Sequence, residues 1–221
     1  MDSGVIQLMV LAGIALFLVL RLKNVLGTRD GFEPPRTNDE GAAPARPYRR
    51  DFEVIEGGPD RDITDHVDDG TPEAHDLAAM KMAEPGFSVN EFVSGARGAY
   101  DMILMAFENG DLDAVKDFLD EDVLQTFVDV IADREDRGLK IEADFVGVRE
   151  VGIAETTFDR SSQQAEITMR FVGELTSVVK DADGKIVEGN PNEIKKQRDV
   201  WTFARTMGAN DPNWRLVATG E

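Results

Sequence analysis

Cysteine is absent from this 221-residue chain. That excludes a disulfide framework, a thiolate metal site and a thiol nucleophile. Histidine is nearly absent too. His66 and His75 are the only two; both fall in a tract broken by Pro and Gly, a poor start for a metal site. The chain beyond residue 86 holds neither histidine nor cysteine, so the commonest acid–base and nucleophilic groups are missing from it. Basic residues are scarce: 24 Lys and Arg face 43 Asp and Glu, a formal net charge of -19. Phosphate recognition needs concentrated Lys and Arg, so nucleic acid is excluded as a partner.

Polar residues are also missing from Gly4 to Leu20, where Gln7 is the one strongly polar member. At about 1.5 Å per residue this run spans roughly 26 Å as a helix, the short end of what crosses a bilayer. Asp2 precedes it and Arg21-Leu22-Lys23 follows, the reverse of the flanks of a cleaved signal peptide. The reading is therefore a transmembrane anchor over 1–26. Arg21, Lys23 and Arg29 flank it on one side only. By the positive-inside rule the N-terminus lies outside and the C-terminal domain in the cytoplasm. The Arg-rich, acid-poor character of an organellar transit peptide is lacking, which points to a bacterial inner membrane.

Residues 27–85 show no sustained period. Pro34-Pro35, Pro44, Pro47, Gly57-Gly58-Pro59 and Pro72 interrupt them. Too little apolar surface remains to offset the entropy of ordering, so the expectation is a disordered acidic linker. Its first half carries Arg36, Arg46, Arg49 and Arg50; from Asp51 onward acids dominate.

From 86 to 221 the pattern becomes that of a folded domain. Ser88 to Glu91 has the Ser-x-x-Glu form of a capping box. Phe92, Ala96, Ala99, Tyr100, Ile103 and Phe107 recur at helical spacing until Gly110. Asp111 is placed to cap a short second helix holding Leu112, Val115, Phe118 and Leu119. Asp122 is placed to cap a third, with Val123, Phe127, Val130 and Ile131 inward. After Gly138 the period shifts to alternation. Ile141, Ala143 and Phe145 begin it; Ala165, Ile167, Met169 and Phe171 continue it; Trp201 and Phe203 oppose Val200, Thr202 and Ala204. Asp181 to Gly184 and Asp211-Pro212-Asn213 read as turns, with a last strand over Trp214 to Thr219. Helices first and antiparallel strands afterwards give α+β: helices on one face of a curved antiparallel sheet, a half-barrel whose mouth can hold a cavity.

The stretch Phe92 to Ile103, with Gly95, Arg97, Tyr100 and Met102, followed by Ala106-Phe107 and Gly110-Asp111, resembles the opening helices of the Tim44-like domain family. Phe118-Leu119, Arg134-Glu135-x-x-Gly138, Arg170-Phe171, Asp199-x-Trp201-Thr202-Phe203-x-Arg205 and Asp211-Pro212-Asn213-Trp214-x-Leu216 extend the resemblance. It covers nearly the whole predicted domain. The resemblance implies a cystatin-like (NTF-two-like) half-barrel with a large apolar pocket. It implies a scaffold role as in the mitochondrial inner-membrane import motor, where the domain associates with membrane lipids and recruits a chaperone to the translocase. A spanning helix stands here in place of a transit peptide and a basic chaperone-binding region, which sets the partners apart.

The candidate hydrophobic pocket is Phe92, Ala96, Tyr100, Ile103 and Phe107 on the helix, with Ile167, Met169, Phe171 and Trp201 on the sheet. An apolar stripe is also what any packed helix shows, so the same residues fit a filled core. Arg97 and Asp101 are spaced to pair on one helix flank. Arg134, Arg137 and Lys140 form a basic cluster diluted by Asp133, Glu135 and Asp136, the pattern of a solvated face. The expected function is a membrane-anchored adaptor that binds lipid or a protein segment, with membrane-assembly, translocase or chaperone components as partners. No cofactor, metal or catalytic group is expected. An enzyme acting on a small apolar substrate, with Asp199, Glu174 or Arg170 in its cavity, and a homo-oligomerisation module are the alternatives.

Overall fold

The computed structural model describes residues 60–220. The predicted anchor, its flanking Arg21, Lys23 and Arg29, and the linker up to residue 59 lie outside the described residues. Among the described residues no helix is long and apolar enough to cross a membrane.

Among the described residues four helices precede the sheet: α1 (Arg61–Thr64), α2 (Pro72–Ala83), α3 (Val89–Asn109) and α4 (Glu121–Asp136). A single 3-10 turn, Lys116–Phe118, lies between α3 and α4. Five strands follow: β1 (Lys140–Asp159), β2 (Gln164–Lys180), β3 (Ile186–Gly189), β4 (Lys195–Thr206) and β5 (Arg215–Gly220). They form one antiparallel sheet in the order β1-β2-β4-β5, with β3 hairpinned onto the end of β2.

The linker expectation fails over 60–85. Thr71 caps α2 through a bond from the Ala74 amide, Pro72 stands at its first turn, and Leu77 and Met80 are fully buried. The proline read as a breaker is a helix starter here. The apolar residues of α1 and α2, Ile63, Ala74, Leu77 and Met80, join the domain core instead of standing alone in an acidic tract.

Helix α3 is the spine. Ser88 caps it by accepting from the Glu91 amide at 3.3 Å, and Gly110 ends it in the left-handed conformation (φ 74°). Two further amides of the first turn are satisfied from a distance. The Asp62 carboxylate of α1 accepts from the amides of Val89 (2.8 Å) and Asn90 (2.9 Å), the Ser88 hydroxyl and the Lys81 ammonium. Burial pushes the Asp62 carboxyl up, but Lys81, these amides and Ser88 together hold it well below the usual carboxylate range.

Two helix expectations need correction. Asp111 caps no α-helix; its carboxylate accepts from the Asp113 amide, and the 3-10 turn is all that forms before Leu119. Helix α4 is capped by Asp120, two residues earlier than predicted, because the Asp120 amide is itself tied to the Leu216 carbonyl of β5 at 2.9 Å. Only Val123 and Phe127 of α4 are buried; Val130 faces solvent.

The inner face of the sheet alternates as the sequence pattern requires: Ala165, Ile167, Met169, Phe171 and Leu175 of β2 are buried, and Ile167, Met169 and Phe171 pair with Phe203, Trp201 and Asp199 of β4. β1 is one long strand with three register shifts, near Gly147, Glu150 and Glu155, which bend it around α3. The predicted Arg97–Asp101 pair is replaced by a bond from Arg97 to the Val148 carbonyl of that bent strand, at 2.8 Å.

Candidate functional site

The space between α3 and the inner face of the sheet is filled. The Tyr100 ring stacks on Phe171 with centroids 4.5 Å apart and an interplanar angle of 12°, and it tilts against Trp201 at 4.8 Å. Ile167 and Met169 close the layer. The Tyr100 hydroxyl is buried and donates to Asp199 at 2.5 Å, while Gln197 donates to the other carboxylate oxygen at 3.1 Å. Burial first, then the Asp199 carboxylate, drives the Tyr100 phenol far above its ordinary value, so the phenol is a fixed neutral donor. The ring passes so near β2 that a Cβ at Gly173 would lie 2.7 Å from its oxygen.

The open space lies on the other flank of α3. A groove of about 430 Å³ runs between α3, the α2–α3 turn, the 3-10 turn, β4 and the β4–β5 turn. Its helix wall is made low by Gly95, Ala96 and Ala99. The rest of its lining is aromatic: Phe92 from α3 itself, with Phe87, Phe203, Trp214 and Phe118 from the neighbouring elements. Phe92 packs on Trp214 at 4.7 Å and edge-on to Phe203 at 6.1 Å; Phe87 meets Trp214 at 5.9 Å.

Arg205 fastens this wall. Its guanidinium pairs with Glu84 of the α2–α3 turn, donates to the Pro212 carbonyl at 2.9 Å and lies over the Trp214 ring at 5.4 Å. Glu84 also accepts from the Gly208 amide at 2.8 Å. Arg205, and then that amide, hold the Glu84 carboxyl below its usual range against the opposing effect of burial.

The nine predicted pocket residues are thus divided. Phe92, Ala96 and Ile103 line the groove. Tyr100, Ile167, Met169, Phe171 and Trp201 form the filled core. Phe107 lies outside the groove, at the edge of the core: it packs on Phe127 at 4.6 Å beneath the Arg134 guanidinium, 4.2 Å above its ring. The predicted pocket set left out Phe87, Phe118, Phe203, Arg205 and Trp214. Arg205 and Trp214 stand in the two motifs quoted above, and the pairing of β4 with β5 brings those motifs together.

Beyond the groove, Glu108 sits near the end of α3. Burial raises its carboxyl, and Asp199 adds to this against Arg134 and Lys195. No group of three or more metal-ligating side chains occurs among the described residues.

Helices laid across a curved antiparallel sheet, with a filled core and an aromatic groove, define a small α+β domain. The Tim44-like domain profile matches residues 73–221, and the chain belongs to that family. Over 145 residues it is 24% identical to mitochondrial import inner membrane translocase subunit TIM44 from Homo sapiens, and 23% identical to the Rattus norvegicus protein of that name. The match covers 64% of this chain and 31% of each relative. Among solved structures, the intermembrane space region of chloroplast protein ARC6 aligns with a TM-score of 0.39 and 11% identity. That alignment covers 58% of this chain and 94% of the other, a likeness too distant to add to the fold described above.

Proposed function

We propose that this protein is a membrane-tethered scaffold of protein translocation or inner-membrane assembly, whose domain holds an apolar ligand, lipid or protein segment, in the groove beside α3. The observation that carries the binding half is the groove itself. Five aromatic rings, three of them buried in the core and Phe118 and Trp214 partly exposed, border one space with a low helix wall of Gly95, Ala96 and Ala99. Burying apolar surface is the general driving force for occupying such a groove, at roughly 25 cal/mol per Å² covered. The scaffold half is supported by membership of the Tim44-like family and by the translocase relatives. The tether half is supported by the apolar run Gly4–Leu20 with Arg21, Lys23 and Arg29 behind it.

The test is site-specific photo-crosslinking of the full chain in cells, with p-benzoylphenylalanine replacing Phe118 in the groove or Val146 on β1. A defined lipid or protein adduct from the Phe118 position, absent from Val146, is the expected outcome. Equal labelling from both positions, or none from Phe118, contradicts the reading.

A further inference from the structure

The edges of the sheet are not alike. β1, on one side, is bent by its three register shifts, and Arg97 is bonded to its Val148 carbonyl. β5, on the other, is tied along its outer side to the chain before α4 by the Leu119–Leu216 bridge and the Asp120 amide. Between them, part of β4 is left over. It runs against β2 from Lys195 to Thr206 without a register shift, but β5 pairs with it only from Val200 to Ala204. Lys195–Asp199 therefore has a free edge about 17 Å long. Alternate residues there turn an N–H and a C=O away from β2, and no other strand meets them among the described residues. Such a row of backbone groups is a template for one more strand.

The side chains decide which strand. Lys196 and Arg198 are exposed and alternate with the buried Asp199 and Trp201, so they share the face turned away from α3. They stand two residues apart, about 7 Å along the strand. Neither has a carboxylate within 4 Å among the described residues. Val172 lies opposite Arg198, and Glu174, opposite Lys196, is held by Arg149 at 3.2 Å. The chain carries 43 acids against 24 bases, so two neighbouring cations without partners run against its composition. Charged side chains keep neutral strands off an open edge. Across two strands, like charges repel and opposite charges stabilise. The same pair that guards this edge therefore fits a strand with carboxylates at alternate positions.

We propose that Lys195–Asp199 is a docking edge for an extended acidic segment of a partner protein, which joins the sheet as a further strand beside β4. One of its carboxylates lies opposite Lys196, and another two residues along lies opposite Arg198. Backbone hydrogen bonds supply the attachment, and the two ion pairs supply the selection. The site is separate from the groove beside α3, whose lining takes Phe203 and Arg205 from β4 and none of these residues.

The test uses the full chain in amphipol and two fluorescent peptides, Thr-Asp-Val-Glu-Val-Asp-Thr and its counterpart with lysine at every acidic position. Affinity is read by anisotropy and the contact by amide hydrogen exchange. The acidic peptide is expected to bind about tenfold more tightly than the basic one, through its two cross-strand pairs. Its binding should weaken as salt is raised. It should slow exchange within Lys195–Asp199 and leave the edge of β1 around Val146 unchanged. Lys196→Glu combined with Arg198→Glu should reverse the order, the basic peptide then binding about tenfold the tighter. Both positions are exposed, and the exchange measurement needs no variant. Equal affinities, an order that survives the charge swap, or unslowed exchange within Lys195–Asp199 each overturns the proposal.

Discussion

The Tyr100 hydroxyl donates to the Asp199 carboxylate at 2.5 Å, joining the central helix to the central strands in a site closed to solvent. The bond lets an aromatic residue with a polar tip occupy the middle of the core, and it binds stability to the protonation state of a phenol. The folded-state value of Tyr100 is raised above its unfolded value. Its contribution is therefore fully present below the unfolded value, about 10, and declines as pH rises above it. Urea unfolding should show stability falling above pH 10, by up to about 1.4 kcal/mol per pH unit. Tyr100→Phe should remove that alkaline limb and cost roughly 1–3 kcal/mol at pH 7, because Asp199 loses its buried donor. An unchanged alkaline limb in the variant would show that other groups cause it.

Gly173 is the space the Tyr100 ring requires. Adding a Cβ there places it 2.7 Å from the hydroxyl oxygen and 3.0 Å from a ring carbon, with the ring held by Asp199 and Phe171. Gly173→Ala should destabilise by about 1–3 kcal/mol, the usual cost of overpacking a core. Thermal unfolding of the single variant and of Gly173→Ala with Tyr100→Leu checks the cause. The second change should recover part of the loss relative to Tyr100→Leu alone.

The Asp62 carboxylate should matter as much as a buried cap. Asp62→Ala removes acceptors from the first turn of α3 and from Lys81, and should cost about 2 kcal/mol in urea unfolding at neutral pH. The folded-state value is depressed, so this contribution is present above the unfolded value, about 3.9, and shrinks as pH falls below it. The difference between wild type and Asp62→Ala should therefore narrow between pH 4 and pH 2. A chain beginning at residue 72 should show a larger loss, since it lacks Asp62, the buried Ile63 and the capping Thr71.

Much of the fold was legible because local periods agreed with it. The capping Ser88, the stripe Phe92–Ala96–Tyr100–Ile103, the stop at Gly110 and the alternation along Ala165–Phe171 all depend on near neighbours in the chain. What escaped depends on distant ones. The helix over Pro72–Ala83 has a weak apolar stripe and gains its stability by docking Leu77 and Met80 into the core. The short strand β3 is wholly exposed and held by its pairing with β2. The groove was half legible. Phe92, Ala96 and Ile103 were marked by their helix, but periodicity gave no means of separating them from Tyr100, because only the depth of the sheet decides which side of α3 is filled. Arg205 and Trp214 meet through a β-turn that no helical or strand period encodes.

Glu84 and Arg205 form the clamp that shapes the groove. Glu84→Ala should leave the buried guanidinium without its carboxylate and destabilise the domain by about 3 kcal/mol, whereas Glu84→Gln should cost less by keeping an acceptor for Arg205 and the Gly208 amide. Chemical denaturation of the two variants, read beside exposed-surface controls such as Glu121→Ala, separates this clamp from general charge effects.

The central claim is that the space beside α3 holds an apolar ligand. The chain has two tryptophans, Trp201 in the filled core and Trp214 in the groove wall. The direct measurement is Trp214 emission in the Trp201→Phe chain titrated with dodecane, alongside the same chain carrying Ala99→Leu, which fills the groove from its helix wall. A saturable change in emission that Ala99→Leu abolishes while the domain stays folded is the predicted result. Emission that does not respond, or responds equally with the groove filled, would contradict the account.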